Sequence, residues 1–300
     1  MIDCVSSLWR GRGYAREGIG HAVLQSWLLV ARQLLSAVLS SLFSSPAAMA
    51  DSSRKETLVD YTCIFNQRAQ SYIKASVKWS GAREHEFAAY LDNLDLKPGE
   101  RFLDVPCGTG IVGTLTDARV NYLGLDPSAP FVAYCQAQGT PVLQASMRTT
   151  GLPDASFDVI GSLSGVHHED DRLQLYREWF RLLRPGGRLL VMDVWRGSAV
   201  GEFLNGFVAE WNSAGHDGCF LSEADSCWLE GAGFTQVAST PLEYAWQAAS
   251  VQDMSSFMCE LFGLDLQPPL SAFEQAWKSL GYQQAGEVCR VPWSLTALSA

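Results

Sequence analysis

Residues 101–110 read Arg101-Phe102-Leu103-Asp104-Val105-Pro106-Cys107-Gly108-Thr109-Gly110, and the rest of the chain is arranged around this segment. Its apolar run is too short for a helix and lies between Pro98-Gly99 and two glycines, which indicates a buried strand followed by a tight loop. Residues 111–118 can then begin a helix. Exposed backbone N–H groups and small side chains make such a strand-to-helix turn a good binding site.

The charge at the end of this strand indicates which ligand the loop binds. Gly108, Gly110 and Gly113 spell G-x-G-x-x-G, a spacing that fits dinucleotide sites and others. Asp104 stands four residues before the first glycine, where a carboxylate would repel a pyrophosphate but attract an ammonium group. S-adenosyl-L-methionine (SAM) carries an ammonium and a sulfonium and no phosphate. Asp104, with Asp126 near the end of the next strand, therefore favours SAM over NAD.

The same segment resembles the first motif of class I SAM-dependent methyltransferases, an acidic residue followed by G-x-G-x-G. Pro106 stands at the first glycine position, which sets φ at about −65° and removes one N–H donor. Residues 152–158 and 183–187 also match signatures of this family, and the resemblance covers roughly residues 85–245. The small-molecule enzymes of the family are the ones this chain is similar to.

The resemblance implies a set of cofactor contacts. Asp104 would face the methionine ammonium group, and Asp126 would accept hydrogen bonds from both ribose hydroxyls. Ser146 and Met147 fall where family members flank the adenine, with serine here in place of the usual acid. The other implied cofactor-binding positions are Pro106, Cys107, Gly108, Thr109, Gly110, Pro127, Ser128, Ser162 and Leu163.

Two histidines follow the fourth predicted strand and are the candidate catalytic residues. His167 or His168 could take a proton from an acceptor hydroxyl or amine. The alternative role is packing or contact with SAM, because methyl transfer from a sulfonium mainly requires alignment and exclusion of water. No metal site is predicted, since the eight cysteines contain no C-x-x-C and are scattered along the chain.

Strands and helices alternate from residue 101 to residue 194, which predicts a parallel sheet with helices on both faces. Serines 222, 250 and 271 each begin S-x-x-[DE], the spacing of a capping box, which predicts helices over 223–230, 251–262 and 272–280. The expected fold is a doubly wound α/β fold with a mostly parallel seven-stranded sheet. Its last strand is antiparallel, helices precede the sheet, and a helical insertion at 250–281 comes before the last strand.

The chain is expected to have a methyltransferase domain over residues 51–300, with helical lid elements at 51–84, 196–220 and 250–281. Residues 1–50 differ in composition and are excluded from the fold. They are interpreted as an organelle transit peptide, a secretory signal, or an extension upstream of a start at Met49. The location would be cytoplasmic in the last case and an organelle matrix or stroma in the first. Arg32 and Gln33 interrupt the apolar stretch of 22–43, so no membrane span is expected.

Composition limits the partners. The formal net charge is −10 and there is no lysine- or arginine-rich run, which disfavours nucleic acid and acidic membranes. The lid candidates carry an aromatic set that suits a small acceptor, although helical spacing favours a core role for most of the apolar residues in 254–262. That aromatic set comprises Trp195, Trp211, His216, Trp246, Phe257 and Phe262.

The predicted function is transfer of a methyl group from SAM to an O, N or S atom of a small-molecule acceptor. An NAD(P)-binding oxidoreductase is the second hypothesis, supported by the glycine spacing and opposed by Asp104. The third is a SAM-fold protein without catalysis that acts as an interaction subunit. The sequence does not predict the acceptor or the oligomeric state.

Overall fold

The structure is a computed structural model that describes residues 61–283 and 286–300. The predictions for residues 1–50, and for the part of the first lid element before Tyr61, lie outside the described residues. Within the described part, no helix is both long enough and apolar enough to span a membrane.

Seven strands form one sheet in the order β3-β2-β1-β4-β5-β7-β6. The strands are β1 (Arg101–Asp104), β2 (Asn121–Asp126), β3 (Val142–Gln144), β4 (Phe157–Leu163), β5 (Leu183–Asp193), β6 (Ala238–Ala248) and β7 (Cys289–Ser299). Strands β1 to β5 are parallel to one another, and β7 runs antiparallel between β5 and β6. The predicted fold class is confirmed, including the antiparallel last strand.

Helices surround the sheet. They are α1 (Tyr61–Lys78), α2 (Glu84–Leu94), α3 (Ile111–Leu115), α4 (Ala129–Gln138), α5 (Arg172–Leu182), α6 (Ala199–Phe203), α7 (Ala209–Trp211), α8 (Glu223–Ala232), α9 (Val251–Phe262) and α10 (Leu270–Ser279). A π-helical segment, Leu204–Val208, joins α6 to α7, and a short 3₁₀ turn covers Val166–His168.

The central strands are buried on both faces, as expected for a parallel sheet between helices. Successive residues of one strand enter different apolar clusters: Phe102 packs in one and Leu103 in the other. The same alternation separates Val159 from Ile160 in β4. This period of two follows from the pleat of a strand.

Most predicted boundaries agree with the structure, and the exceptions have local causes. Ser222 and Asp225 form a complete capping box, and the Ser250 side chain accepts from the Asp253 N–H. The prediction that Ser271 caps a helix is wrong, because α10 already begins at Leu270 after Pro269. Helix α3 is also shorter than the predicted 111–118.

The topology indicates where a ligand binds, at the edge of the sheet formed by the carboxyl ends of the parallel strands, called here the ligand edge. Strand order reverses direction between β1 and β4, and ligands of open α/β sheets bind beyond the carboxyl ends of strands at such a switch point. Asp104 ends β1 there, and Asp126 ends the neighbouring strand β2.

Candidate functional site

Two buried carboxylates lie at the switch point. Asp104 is 1% exposed and accepts a hydrogen bond from the Tyr122 hydroxyl at 2.9 Å. Asp126 is fully buried and accepts from the backbone N–H groups of Gly108 and Ser128, each at 2.8 Å. The glycine loop is therefore tied to the end of β2 through a carboxylate.

Burial changes the protonation of both acids. Burial raises the pKa of Asp104 to about 7, the Tyr122 hydroxyl opposes this, and the nearby Asp126 adds to it. Burial also raises the pKa of Asp126 to about 7, although the N–H groups of Ser128 and Gly108 favour its ionised form. A cationic ligand beside Asp104 would favour the carboxylate, because an opposite charge stabilises the ionised state.

The third glycine of the motif supports Asp104 indirectly. A Cβ on Gly113 would lie 2.5 Å from the Tyr122 ring, so only glycine leaves room for that ring. The same tyrosine donates to Asp104. The third glycine thus allows α3 to pack closely on β2, and this packing holds the tyrosine that donates to Asp104.

A small cavity of about 60 Å³ lies over the loop on the Asp104 side. Its lining includes the predicted residues Asp104, Pro106, Cys107, Gly108, Thr109 and Leu163. Gly108 has φ +52° and open space on its Cβ side, so the backbone borders the cavity directly. Gly110 is the left-handed residue before α3 and packs against Cys135.

A second cavity of about 440 Å³ lies on the other side of Asp126. Pro127, Ser146 and Met147 line it, as predicted for the adenine end, together with Thr62 and Arg148. Ser128 is fully buried, and its hydroxyl has no hydrogen-bond partner among the described residues. Ser162 is buried within β4 and lines neither cavity, and the predicted residues Gly110, Asp126 and Ser128 also lie outside both linings.

The start of α1 lies between the two cavities. Tyr61 donates from its hydroxyl to Asp126 Oδ2 at 3.2 Å, which is the carboxylate that the ribose hydroxyls are expected to use. Phe65 packs beside it, with ring centroids 4.4 Å apart, and both side chains line the smaller cavity. The Tyr61 hydroxyl therefore occupies an acceptor atom that the expected ribose contact would also use.

The two candidate catalytic histidines lie beyond Leu163 under α1. His167 is buried, and its Nδ1 lies 2.7 Å from Asp193 Oδ1 at the end of β5. A carboxylate only accepts, so this Nδ1 donates and the neutral ring keeps its lone pair on Nε2. The His168 ring packs edge-on against Phe65, with ring centroids 5.3 Å apart.

A third histidine joins them that the sequence reasoning had placed only among the lid aromatics. One ring nitrogen of each of His167, His168 and His216 lies within 4.8 Å of the other two. Burial, and then the neighbouring His167, lower the pKa of His168 well below its ordinary value and that of His216 to about 3. At neutral pH these two rings are therefore uncharged.

Asp193 and Arg172 hold this region together, and neither was singled out in the sequence. The Asp193 carboxylate also accepts from the backbone N–H of Val166 at 2.9 Å. Arg172 pairs with Asp225 at 2.5 Å inside the protein and donates to the Cys219 carbonyl, while the Cys219 N–H donates to the His167 carbonyl. The available signal for Asp193 was a carboxylate ending an apolar strand.

The residues predicted as core are core. Met254, Phe257, Met258 and Leu261 of α9 are buried, and the Trp246 ring stacks on Trp293 with centroids 3.9 Å apart. The helical spacing of these apolar residues therefore indicates their core role correctly, and they do not form an aromatic cage.

The donor set and the two-part cavity fit SAM. A carboxylate beside the smaller cavity suits an ammonium group, a second one with flanking N–H groups suits a ribose, and the Pro127 and Met147 surfaces suit an aromatic base. The seven-stranded order with antiparallel β7, together with this ligand edge, matches the fold of class I SAM-dependent methyltransferases, and the residues of the site support SAM as the cofactor.

Comparison with known proteins agrees. Residues 103–191 match a family model described as a methyltransferase domain. Phosphoethanolamine N-methyltransferase of Triticum aestivum is 34% identical over 159 residues, which cover 50% of this chain and 31% of that protein. The 27-O-demethylrifamycin SV methyltransferase of Amycolatopsis mediterranei is 34% identical over 121 residues, covering 37% and 41%. The aligned part of this chain spans less than half the length of these relatives.

A solved structure shows the same fold. Haemonchus contortus phosphoethanolamine N-methyltransferase 2, in complex with phosphomonomethylethanolamine and S-adenosylhomocysteine, superposes with a TM-score of 0.53. The alignment covers 81% of this chain and 58% of that one at 16% identity. The NAD(P) hypothesis is set aside, because residues 103–191 match a methyltransferase domain.

Proposed function

We propose that this chain transfers a methyl group from SAM to an oxygen, nitrogen or sulfur atom of a small-molecule acceptor. The observation that carries the proposal is the pair of buried carboxylates, Asp104 and Asp126, on either side of the glycine loop. A catalytically inert interaction subunit would not need two buried acids, which are costly to keep without a polar ligand.

The residues that hold SAM in this proposal divide by the part of the cofactor they contact. Asp104 holds the ammonium group, Asp126 holds the ribose, and Ser146 with Met147 flank the adenine. SAM supplies a methyl group on a positively charged sulfur, which is already activated for displacement. The protein then has to align the acceptor and exclude water.

Exclusion of water is the role proposed for α1. Tyr61, Phe65 and Tyr72 line the smaller cavity from this helix and cover it with aromatic surface. The acceptor would enter beside Leu163 and the histidines, between the end of β4 and α1. His167 is the better placed general base, because Asp193 fixes its tautomer and leaves Nε2 as an acceptor.

The acceptor class is proposed from charge and from the relatives. The net charge of −10 disfavours a polyanion, and relatives named above are called phosphoethanolamine and rifamycin methyltransferases. We propose a role in small-molecule metabolism on this basis. A cytoplasmic location follows if translation starts at Met49, and an organelle location if residues 1–50 form a transit peptide.

The test is turnover with methyl-labelled SAM. The full chain is incubated with a panel of small amines, alcohols and thiols, and with tRNA, and S-adenosylhomocysteine is quantified. We expect product with at least one small acceptor and much less product with the Asp126→Ala variant at the same SAM concentration. Transfer to tRNA alone would contradict the small-molecule acceptor, and SAM binding without turnover on any acceptor would support the inert subunit.

A further inference from the structure

The three histidines beside the acceptor space form a cluster whose geometry general-base catalysis does not require. His167 and His168 come from the 3₁₀ turn after β4, and His216 comes from the loop before Phe220. Their ring centroids lie 4.1, 5.9 and 5.8 Å apart in the three pairings. Residues 48 positions apart in sequence (216 − 168) thus bring their imidazoles together.

Two of these rings have their tautomer fixed by a partner on the outer side. His167 Nδ1 donates to Asp193. His216 Nδ1 lies 2.8 Å from Asn205 Oδ1, and the Gly218 N–H donates to the same atom at 2.9 Å. Because Gly218 donates there, that atom is the amide oxygen, so His216 Nδ1 must also donate.

Because Nδ1 donates in each ring, Nε2 is the ring nitrogen that can offer its lone pair to a metal ion. A histidine that donates Nδ1–H to a carboxylate or an amide oxygen and offers Nε2 is the usual arrangement around a protein-bound metal. Uncharged imidazole suits Zn²⁺, copper, iron and nickel. The carboxylate of Asp193 also supplies negative charge behind one ring, which favours a cation.

We propose that His167, His168 and His216 form a three-histidine site for a divalent transition metal ion, with Zn²⁺ the ion that best suits the ligand set. Three protein ligands leave one position open in a tetrahedral Zn²⁺ site, which is the arrangement of catalytic zinc. The open position would take water or an acceptor oxygen, and with the metal bound His167 Nε2 would be a ligand instead of the general base. The inference rests on the proposed function only for that last role, and metal binding is tested separately.

The site requires a small contraction. With Zn–N distances of about 2.1 Å, the nitrogens of a tetrahedral site are about 3.4 Å apart, compared with the present limit of 4.8 Å. The two 3₁₀-turn histidines are held by backbone contacts, such as the Cys219 N–H to the His167 carbonyl at 2.8 Å. His216 is on a loop with Asn205 as its anchor, so rotation of its ring is the movement expected to close the site.

The experiment uses the full chain stripped with a chelator, with Zn²⁺ followed by calorimetry and Co²⁺ followed by visible absorption. We expect calorimetry to resolve a class of high-affinity binding sites that holds about one Zn²⁺ per chain. His216→Ala should abolish this class, and Asn205→Ala should weaken it by roughly 10–100-fold because it removes only the outer partner. His85→Ala is the matched control, since His85 is exposed and its ring contacts the Ala245 carbonyl.

Three outcomes overturn the proposal. One is a wild-type chain that binds no more Zn²⁺ than His216→Ala. Another is a Co²⁺ spectrum with thiolate charge-transfer bands, which would assign the ion to cysteines. The third is an equal loss in the His85→Ala control. S-adenosylhomocysteine binding is measured on the same samples, so that a failed metal site with intact cofactor binding is separated from failure of the proposed function. If His216→Ala does not fold, the Zn²⁺ affinity of Asn205→Ala is the deciding measurement, because replacing the exposed Asn205 side chain should leave the fold intact.

Discussion

The cofactor half and the acceptor half of the ligand edge are built in different ways. The cofactor half is formed by a nearly contiguous stretch, residues 104–128, whose carboxylates and backbone N–H groups bond to each other across the loop. The acceptor half brings together α1, the turn after β4, the end of β5 and the loop of 212–220. Local sequence therefore specifies the first, whereas long-range contacts specify the second.

The difference has an energetic consequence. The cofactor loop is fixed by hydrogen bonds between residues about 20 positions apart or fewer, so it should persist when other parts of the fold are weakened. The acceptor half depends on a few buried polar anchors, of which Arg172 with Asp225 is the most deeply buried ion pair among the described residues. Substitutions at such anchors should cost stability, and substitutions in the loop should cost affinity.

The largest effect is expected from Asp225→Asn. Asparagine has a single side-chain oxygen, so it can accept either from the Tyr176 hydroxyl or from the Ser222 N–H but not from both, and it leaves the Arg172 guanidinium buried without a counter-charge. We expect the free energy of unfolding to fall by about 3–5 kcal/mol, measured by urea denaturation. Asp154→Asn is the control, because its ion pair with Arg181 is at the surface. Equal stabilities of the two variants would show that Arg172 finds another partner.

The next effect tests the cofactor half. Asp126→Ala removes the proposed acceptor for two ribose hydroxyls, and we expect the affinity for S-adenosylhomocysteine to fall by about 100-fold, measured by calorimetry. His168→Ala, in the acceptor half, should change this affinity little. Asp126→Asn keeps one acceptor oxygen and should give an intermediate loss. If the two alanine variants bind equally well, the ribose assignment of Asp126 is wrong.

A smaller effect is expected at the third glycine of the motif. Gly113→Ala places a methyl group 2.5 Å from the Tyr122 ring and should displace the hydroxyl that donates to Asp104. Overpacking of this kind costs about 1–3 kcal/mol, and we expect a lower melting temperature together with weaker S-adenosylhomocysteine binding. Gly206→Ala is matched to it, since that glycine is helical and a Cβ there meets nothing within 4 Å. A Gly113→Ala variant that behaves like the control would mean that Tyr122 moves without cost.

This contrast between the two halves also explains what the sequence predicted well. The order of strands and helices, the glycine loop and the acids Asp104 and Asp126 follow from short patterns, because each depends on neighbours in sequence. The contact of Tyr61 with Asp126 joins residues 65 apart, and no local pattern encodes it. The approach of His216 to His167 is similar, since it depends on the loop that Arg172 and Asn205 hold in place.

The smallest predicted effect lies where the two halves meet. Tyr61 belongs to α1, yet its hydroxyl donates at 3.2 Å to Asp126, the proposed ribose ligand of the cofactor half. Tyr61→Phe keeps the aromatic cover and removes only this competing donor, so we expect S-adenosylhomocysteine to bind up to about fivefold more tightly, the equivalent of one ordinary hydrogen bond.

Calorimetry on Tyr61→Phe and on Tyr282→Phe measures this effect. Tyr282 packs against Trp277 in a separate part of the core, so its variant should bind like the wild type. Weaker binding by Tyr61→Phe would show that the hydroxyl contributes to the bound state, and α1 would then be part of the cofactor site itself. Tighter binding would show that the Tyr61 hydroxyl competes with the ligand for the Asp126 carboxylate. The cofactor half would then be complete without this hydroxyl, and α1 would act on the site only by covering it.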